Sequence, residues 1–89
     1  MRKKREPMNI DVMLFGPLVE QAGVDRVRLG FETTTVTPPE IRVALAAKAP
    51  AIAGSLASFR LAVNHAFAPE HAEIGDGDEV ALIGLVSGG

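Results

Sequence analysis

Eighty-nine residues with 47% hydrophobic side chains fit one small globular domain and exclude a disordered chain. The absence of cysteine excludes a disulfide framework, a cysteine-ligated iron–sulfur cluster and a cysteine nucleophile, and it fits a reducing cytosol. The net charge of −2 is unevenly spread: residues 1–7 carry +3, while the remainder sets five Lys/Arg against ten Asp/Glu, or −5. An acidic body argues against nucleic acid, whose phosphates call for Lys and Arg, and suits a partner with a basic face. No apolar run reaches the roughly 18 residues of a membrane span, so a soluble, cytoplasmic protein is expected, with no membrane partner.

Residues 1–7 read as a disordered basic extension that stops at Pro7. The first strand is expected over residues 9–15, where Ile10, Val12 and Leu14 alternate with Asn9, Asp11 and Met13. Phe15 falls on the polar side of that alternation, a large ring turned away from the core. Gly16-Pro17 breaks the strand, Leu18 to Ala22 can form one helical turn, and Gly23 can close it in a left-handed conformation. A second strand follows, with Val27, Leu29 and Phe31 on one face and Arg26, Arg28 and Glu32 on the other, antiparallel to the first.

Thr33 to Val36 lead into the main helix. Thr37-Pro38-Pro39-Glu40 carries a start signal: an N-cap threonine, a proline in the first turn and a glutamate to complete a capping box. Ile41, Ala44, Leu45 and Ala49 follow helical spacing and Pro50 ends the helix. Ala51 to Ser58 reads as a short helix or a loop, with Ile52 and Leu56 turned inward.

Leu61 to Val63 begin a third strand, Asn64-His65 a turn, and Ala66 to Ala68 a short return strand stopped by Pro69. Asp76-Gly77-Asp78 is a turn that delivers the last strand, Glu79 to Val86. Val80 and Leu82 line one face of it, and Ala81, Ile83 and Leu85 the other. Strands apolar on both faces are usually central. Here a single main helix covers one face, so the second face lies under a loop or is a docking surface.

This order gives an α+β fold, a mixed sheet with one helix on one face, and it suits a β-grasp with the last strand parallel to the first. The domain spans residues 8–85, and Val86-Ser87-Gly88-Gly89 is a bare tail. Glycine at its end lets a carboxylate pass through a narrow channel.

Catalytic and metal constellations are weak. His65 and His71, without cysteine and placed on a turn and a loop, make a weak metal site and read as surface residues. Asp76, Asp78 and Glu79 lack calcium-loop spacing, and Gly75 and Gly77 open no helix for phosphate. No metal and no bound cofactor is expected.

Gly77-Asp78-Glu79-Val80-Ala81, followed by Ser87-Gly88-Gly89, resembles the ending of the small subunit of molybdopterin synthase and the ThiS-like, ubiquitin-like sulfur carriers. The strand into Phe15-Gly16, the capped helix and Leu61-Ala62-Val63-Asn64 sit where that family has them, so the likeness covers residues 8–89. The resemblance implies a sulfur carrier, a non-catalytic subunit. An activating enzyme would use ATP to adenylate Gly89, a sulfur donor would convert it to a thiocarboxylate, and the large synthase subunit would pass the sulfur to a pterin precursor. Gly88 would be the thin stem. Phe15, Ile83, Met13 and Leu85 would form the apolar patch that docks the two enzymes. The chain departs from the family where two aromatics and two prolines usually stand; it has Leu82, Ile83, Gly84 and Leu85, which predicts a looser stem at Gly84. A carrier for thiamin synthesis or another sulfur-transfer pathway, and an interaction module with an incidental Gly-Gly, are the other readings.

Overall fold

The computed structural model describes residues 8–84. In chain order the elements are β1 (Met8–Met13), α1 (Pro17–Ala22), β2 (Arg26–Phe31), β3 (Thr35–Val36), α2 (Pro38–Lys48), a 3-10 helix (Pro50–Ser58), β4 (Phe59–Val63), β5 (Ala66–Phe67), β6 (Ile74–Gly75) and β7 (Val80–Gly84). Five strands form one sheet in the order β2-β1-β7-β4-β5. β7 lies parallel to β1, with Val12 opposite Val80, and antiparallel to β4, with Leu61 opposite Leu82. The last strand is thus central, as its two apolar faces require.

Alternation decides what each strand buries. Ile10, Val12, Leu29, Leu61, Val80 and Leu82 point to the helix side and are nearly inaccessible. α2 covers them with Ile41 and Leu45, both fully buried, one helical turn apart. Its start is fixed as the sequence implies: the Glu40 carboxylate accepts the Thr37 backbone N–H at 2.8 Å and the Thr37 hydroxyl at 3.2 Å. At its end the Ala49 N–H bonds the Leu45 carbonyl at 2.7 Å, and Pro50 has no N–H to continue the ladder. The following stretch is a 3-10 helix that turns Ile52 and Leu56 into the core. α1 inserts Leu18 fully, and Gly23 closes it at φ 79° with its N–H on the Val19 carbonyl.

Several boundaries differ from the sequence reading, and the first strand, expected over residues 9–15, runs from Met8 to Met13 and leaves Phe15 beyond its end. Thr33 to Val36 are more than a lead-in: Thr35–Val36 pairs antiparallel with Ile74–Gly75 as a separate two-stranded ribbon. Two-residue strands carry no period, so alternation could not reveal them. β4 starts at Phe59, two residues early, because the ring packs against the core. Gly84 is no loosened stem, since it is still paired in the sheet opposite Phe59. A Cβ on Gly84 would stand 3.2 Å from the Phe59 Cε2, so the missing side chain makes room for that ring. Among the described residues no helix is long and apolar enough to cross a membrane.

Candidate functional site

The sheet face turned away from α2 carries the other half of every alternation. β1 contributes Asn9, Asp11 and Met13, β2 Arg26 and Arg28, β7 Ala81 and Ile83, and β4 Arg60 and Ala62. Register places Met13 beside Ala81, and Ala81 beside Ala62. Continuing it past the end of β1 brings Phe15 level with Ile83. The two line one concavity together with Met13, Ala62 and Ala81, about 540 Å³ in volume. Phe15 is 52% exposed, while Met13 and Ile83 are half-buried. Three of the four expected docking residues therefore share one surface. Leu85, like Gly88, Gly89 and the expected tails at 1–7 and 86–89, lies outside the described residues.

Two further side chains on this face escaped the sequence reading. Phe67, opposite Ala62 and 51% exposed, extends the apolar strip toward β5. The Arg60 guanidinium stands 4.5 Å from the centroid of its ring, a cation–π pair that holds both groups on the surface. The signal was present: Phe67 is the middle residue of the short return strand, and the register of the hairpin puts it outside.

One border of the concavity is polar and ordered. Asp11 receives Nε of Arg28 at 2.9 Å and its NH2 group at 3.3 Å, a bidentate pair across β1 and β2. That hydrogen bond lowers the Asp11 carboxyl below its ordinary value, outweighing the desolvation that opposes it, with lesser help from the fields of Arg28 and Arg26. At the other corner, Asn64 holds the start of β7. Its side-chain oxygen accepts the Glu79 N–H at 3.0 Å, its NH2 donates to Asp78 at 3.1 Å, and its backbone N–H donates to the Glu79 carbonyl at 2.8 Å. Asp78 also accepts the Gly75 N–H at 2.8 Å, and these bonds, the backbone one foremost, lower its carboxyl. The turn is tight enough that both Asn64 (φ 52°) and His65 (φ 73°) are left-handed. His65 is exposed, with Nε2 3.0 Å from Glu79; His71 is exposed on the loop after β5.

The site therefore offers binding chemistry. An apolar strip flanked by arginines can seat a partner, and β7 is held on both sides, by β1 and β4. Among the described residues no buried polar or charged side chain suggests an acid–base pair, and no cluster of histidines and carboxylates could hold a metal.

A mixed sheet with one main helix across it, and with its C-terminal strand at the centre, defines a ubiquitin-like β-grasp protein. The ThiS family model matches residues 12–89, and the chain belongs to that family. Solved structures agree on the fold. SAMP1, the small archaeal modifier protein 1, from Haloferax volcanii superposes with a TM-score of 0.78 at 27% identity, covering 91% of this chain and 99% of that one. A putative molybdopterin converting factor subunit 1 from Pyrococcus furiosus gives 0.76 at 18% identity, covering 89% and 99%. A structure described as the complex of subunits 1 and 2 of the molybdopterin-converting factor from Helicobacter pylori gives 0.64 at 23% identity, covering 92% and 100%. No curated protein matches the chain.

Proposed function

We propose that the chain is a sulfur carrier that serves as the small subunit of a molybdopterin synthase, with Gly89 as the sulfur-bearing residue. The observation that carries this is the extent of the family match, which runs through Ser87-Gly88-Gly89. In the activation step a Gly89 carboxylate oxygen attacks the α-phosphorus of ATP and pyrophosphate leaves. Sulfur at the sulfide level then displaces AMP, which carries away one carboxylate oxygen. ATP and the pterin precursor belong to the partner enzymes; this chain contributes an anchored strand, the thin Gly88 stem and a docking face. Met13, Phe15 and Ile83 are proposed to seat the activating enzyme and the large subunit, with Leu85 continuing their alternation. The Helicobacter pylori complex of two subunits supports a large-subunit partner of this kind.

A second reading is favoured by the 27% identity to a protein named as a modifier. The same acyl-adenylate could be attacked by an amine in place of sulfur, joining the tail to another protein. A carrier for thiamin synthesis would load sulfur identically and differ in the acceptor.

Position of the carboxylate tests the shared core of these readings. One alanine added after Gly89 moves it by about 3.3–3.6 Å in an extended chain, and a misplacement of ~1 Å can cost on the order of 10²-fold at a reacting centre. Both proteins are incubated with the activating enzyme, ATP and a sulfur source, then weighed. The expected result is exchange of one oxygen for sulfur in the natural chain only. Equal gain in both, or gain in neither, overturns the proposal. Supplying the loaded chain with large subunit and pterin precursor then separates the molybdopterin role from its siblings.

A further inference from the structure

We infer that Arg60, laid against the ring of Phe67, is a specificity-determining residue of the docking face, and that the activating enzyme seats a carboxylate side chain on it. The inference rests on the carrier reading, which supplies that enzyme as the occupant. Leu61 is in the core, so alternation turns Arg60 and Ala62 outward. Register then sets Arg60 opposite Ile83, and Ala62 opposite both Ala81 and Phe67. Arg60 thus occupies the ground between two large apolar side chains, Ile83 and Phe67. Its guanidinium stands 4.5 Å from the centroid of the Phe67 ring. The ring covers one face of the guanidinium, while the N–H donors point out along its edge and stay available.

The carboxylates around this face are engaged elsewhere. Asp11 holds Arg28, Glu79 lies against His65, and Asp78 accepts from the Asn64 side chain and the Gly75 N–H. Glu70, after β5, pairs with Arg42 of α2. Among the described residues Arg60 therefore has the ring and no carboxylate within salt-bridge distance. In the free chain water solvates its donors. A partner that covers both Ile83 and Phe67 also covers Arg60 and removes that water, and a buried guanidinium without a counter-charge is costly. A partner carboxylate, gripping the fork with two hydrogen bonds, removes the cost. An apolar surface of the same shape that brings no acid is rejected, which is how one arginine sets specificity. Phosphate fits less well, because Arg60 stands alone on a body of net charge −5, with Arg26 three strands away on β2.

The test titrates the activating enzyme with the full-length chain and with Arg60→Leu, Arg60→Glu and Arg60→Lys, at low and high salt. Binding is expected to weaken by about tenfold or more in Arg60→Leu and further in Arg60→Glu. Arg60→Lys, which keeps the charge and loses the planar fork, should fall between the natural chain and Arg60→Leu. Salt should weaken the natural chain's binding more steeply than that of Arg60→Leu. Carbodiimide treatment of the Arg60→Lys complex should join the introduced amine to an Asp or Glu of the enzyme, located by peptide mass mapping. Equal binding by the natural chain and Arg60→Leu, with equal salt dependence, overturns the inference. So does tighter binding by Arg60→Glu, or a cross-link that runs only to a second copy of this chain. In those cases a natural chain that still gains sulfur keeps the carrier reading. A natural chain that neither binds the enzyme nor gains sulfur removes that reading, and the inference with it.

Discussion

At Gly84 a side chain is missing for a steric reason. The position is paired opposite Phe59, and a Cβ would meet the ring at 3.2 Å, closer than the ring tolerates without moving. Gly84→Ala is expected to destabilise the fold by about 1 kcal/mol through overpacking, and Phe59→Leu should relieve most of that increment. A urea-denaturation double-mutant cycle measures the coupling; strict additivity would show that ring and glycine do not touch. Two carboxylates set the acid side of stability. Asp11 is lowered by the Arg28 hydrogen bond and Asp78 by the Gly75 N–H and Asn64. Folded values below the unfolded ones mean that their contribution is complete above the ordinary carboxylate range and is lost as pH falls through the folded values. Tm should therefore hold from neutrality to about pH 5 and drop below it. In Asp78→Asn the drop should be shallower, and an unchanged slope would remove Asp78 from the account.

Among the elements, those with a period were the most legible. β1, β2 and β7 alternate over enough residues that core and outer faces follow from Ile10, Val12, Leu29, Val80 and Leu82 alone. α2 was marked by Thr37, Glu40 and Pro50. The β3–β6 ribbon rests on two residues per strand, whereas the 3-10 helix was legible as a short helix or a loop with Ile52 and Leu56 turned inward, which is where they lie. For the site, parity located Met13, Phe15 and Ile83, whereas Phe67 required the register of a hairpin and Asn64 a contact between distant turns. The outer face of β7 is where element and site meet. Ile83 is half-buried there, with Arg60 directly opposite. Arginine at 83 would add like-charge repulsion to the loss of apolar area, so Ile83→Gln is the cleaner probe. It should leave Tm within a few degrees and weaken binding of the activating enzyme by at least about tenfold. A collapse of the fold would instead make Ile83 a core residue.

Across the whole molecule the arrangement separates anchoring from delivery. β7, the last described strand, is held by a ladder on each side, and its outer face stays open to a partner. The charge is divided as well, +3 in residues 1–7 and −5 in the rest. If the acidic body attracts a basic partner, the N-terminal segment opposes that attraction and should be dispensable. Met8 sets the limit of such a deletion, because it is buried and pairs with Phe31. Alternation from the Leu14–Asp25 bond makes this a hydrogen-bonded pair, and an α-ammonium at Met8 still has a proton to donate to the Phe31 carbonyl. A chain starting at Met8 should thus fold with a Tm close to that of the full chain and acquire the thiocarboxylate mass at least as fast. The gain should shrink as salt screens the body's charge. Slower loading of the shortened chain at low salt would mean that Arg2, Lys3, Lys4 and Arg5 contact the activating enzyme, and the division of labour assigned to the two ends would be wrong.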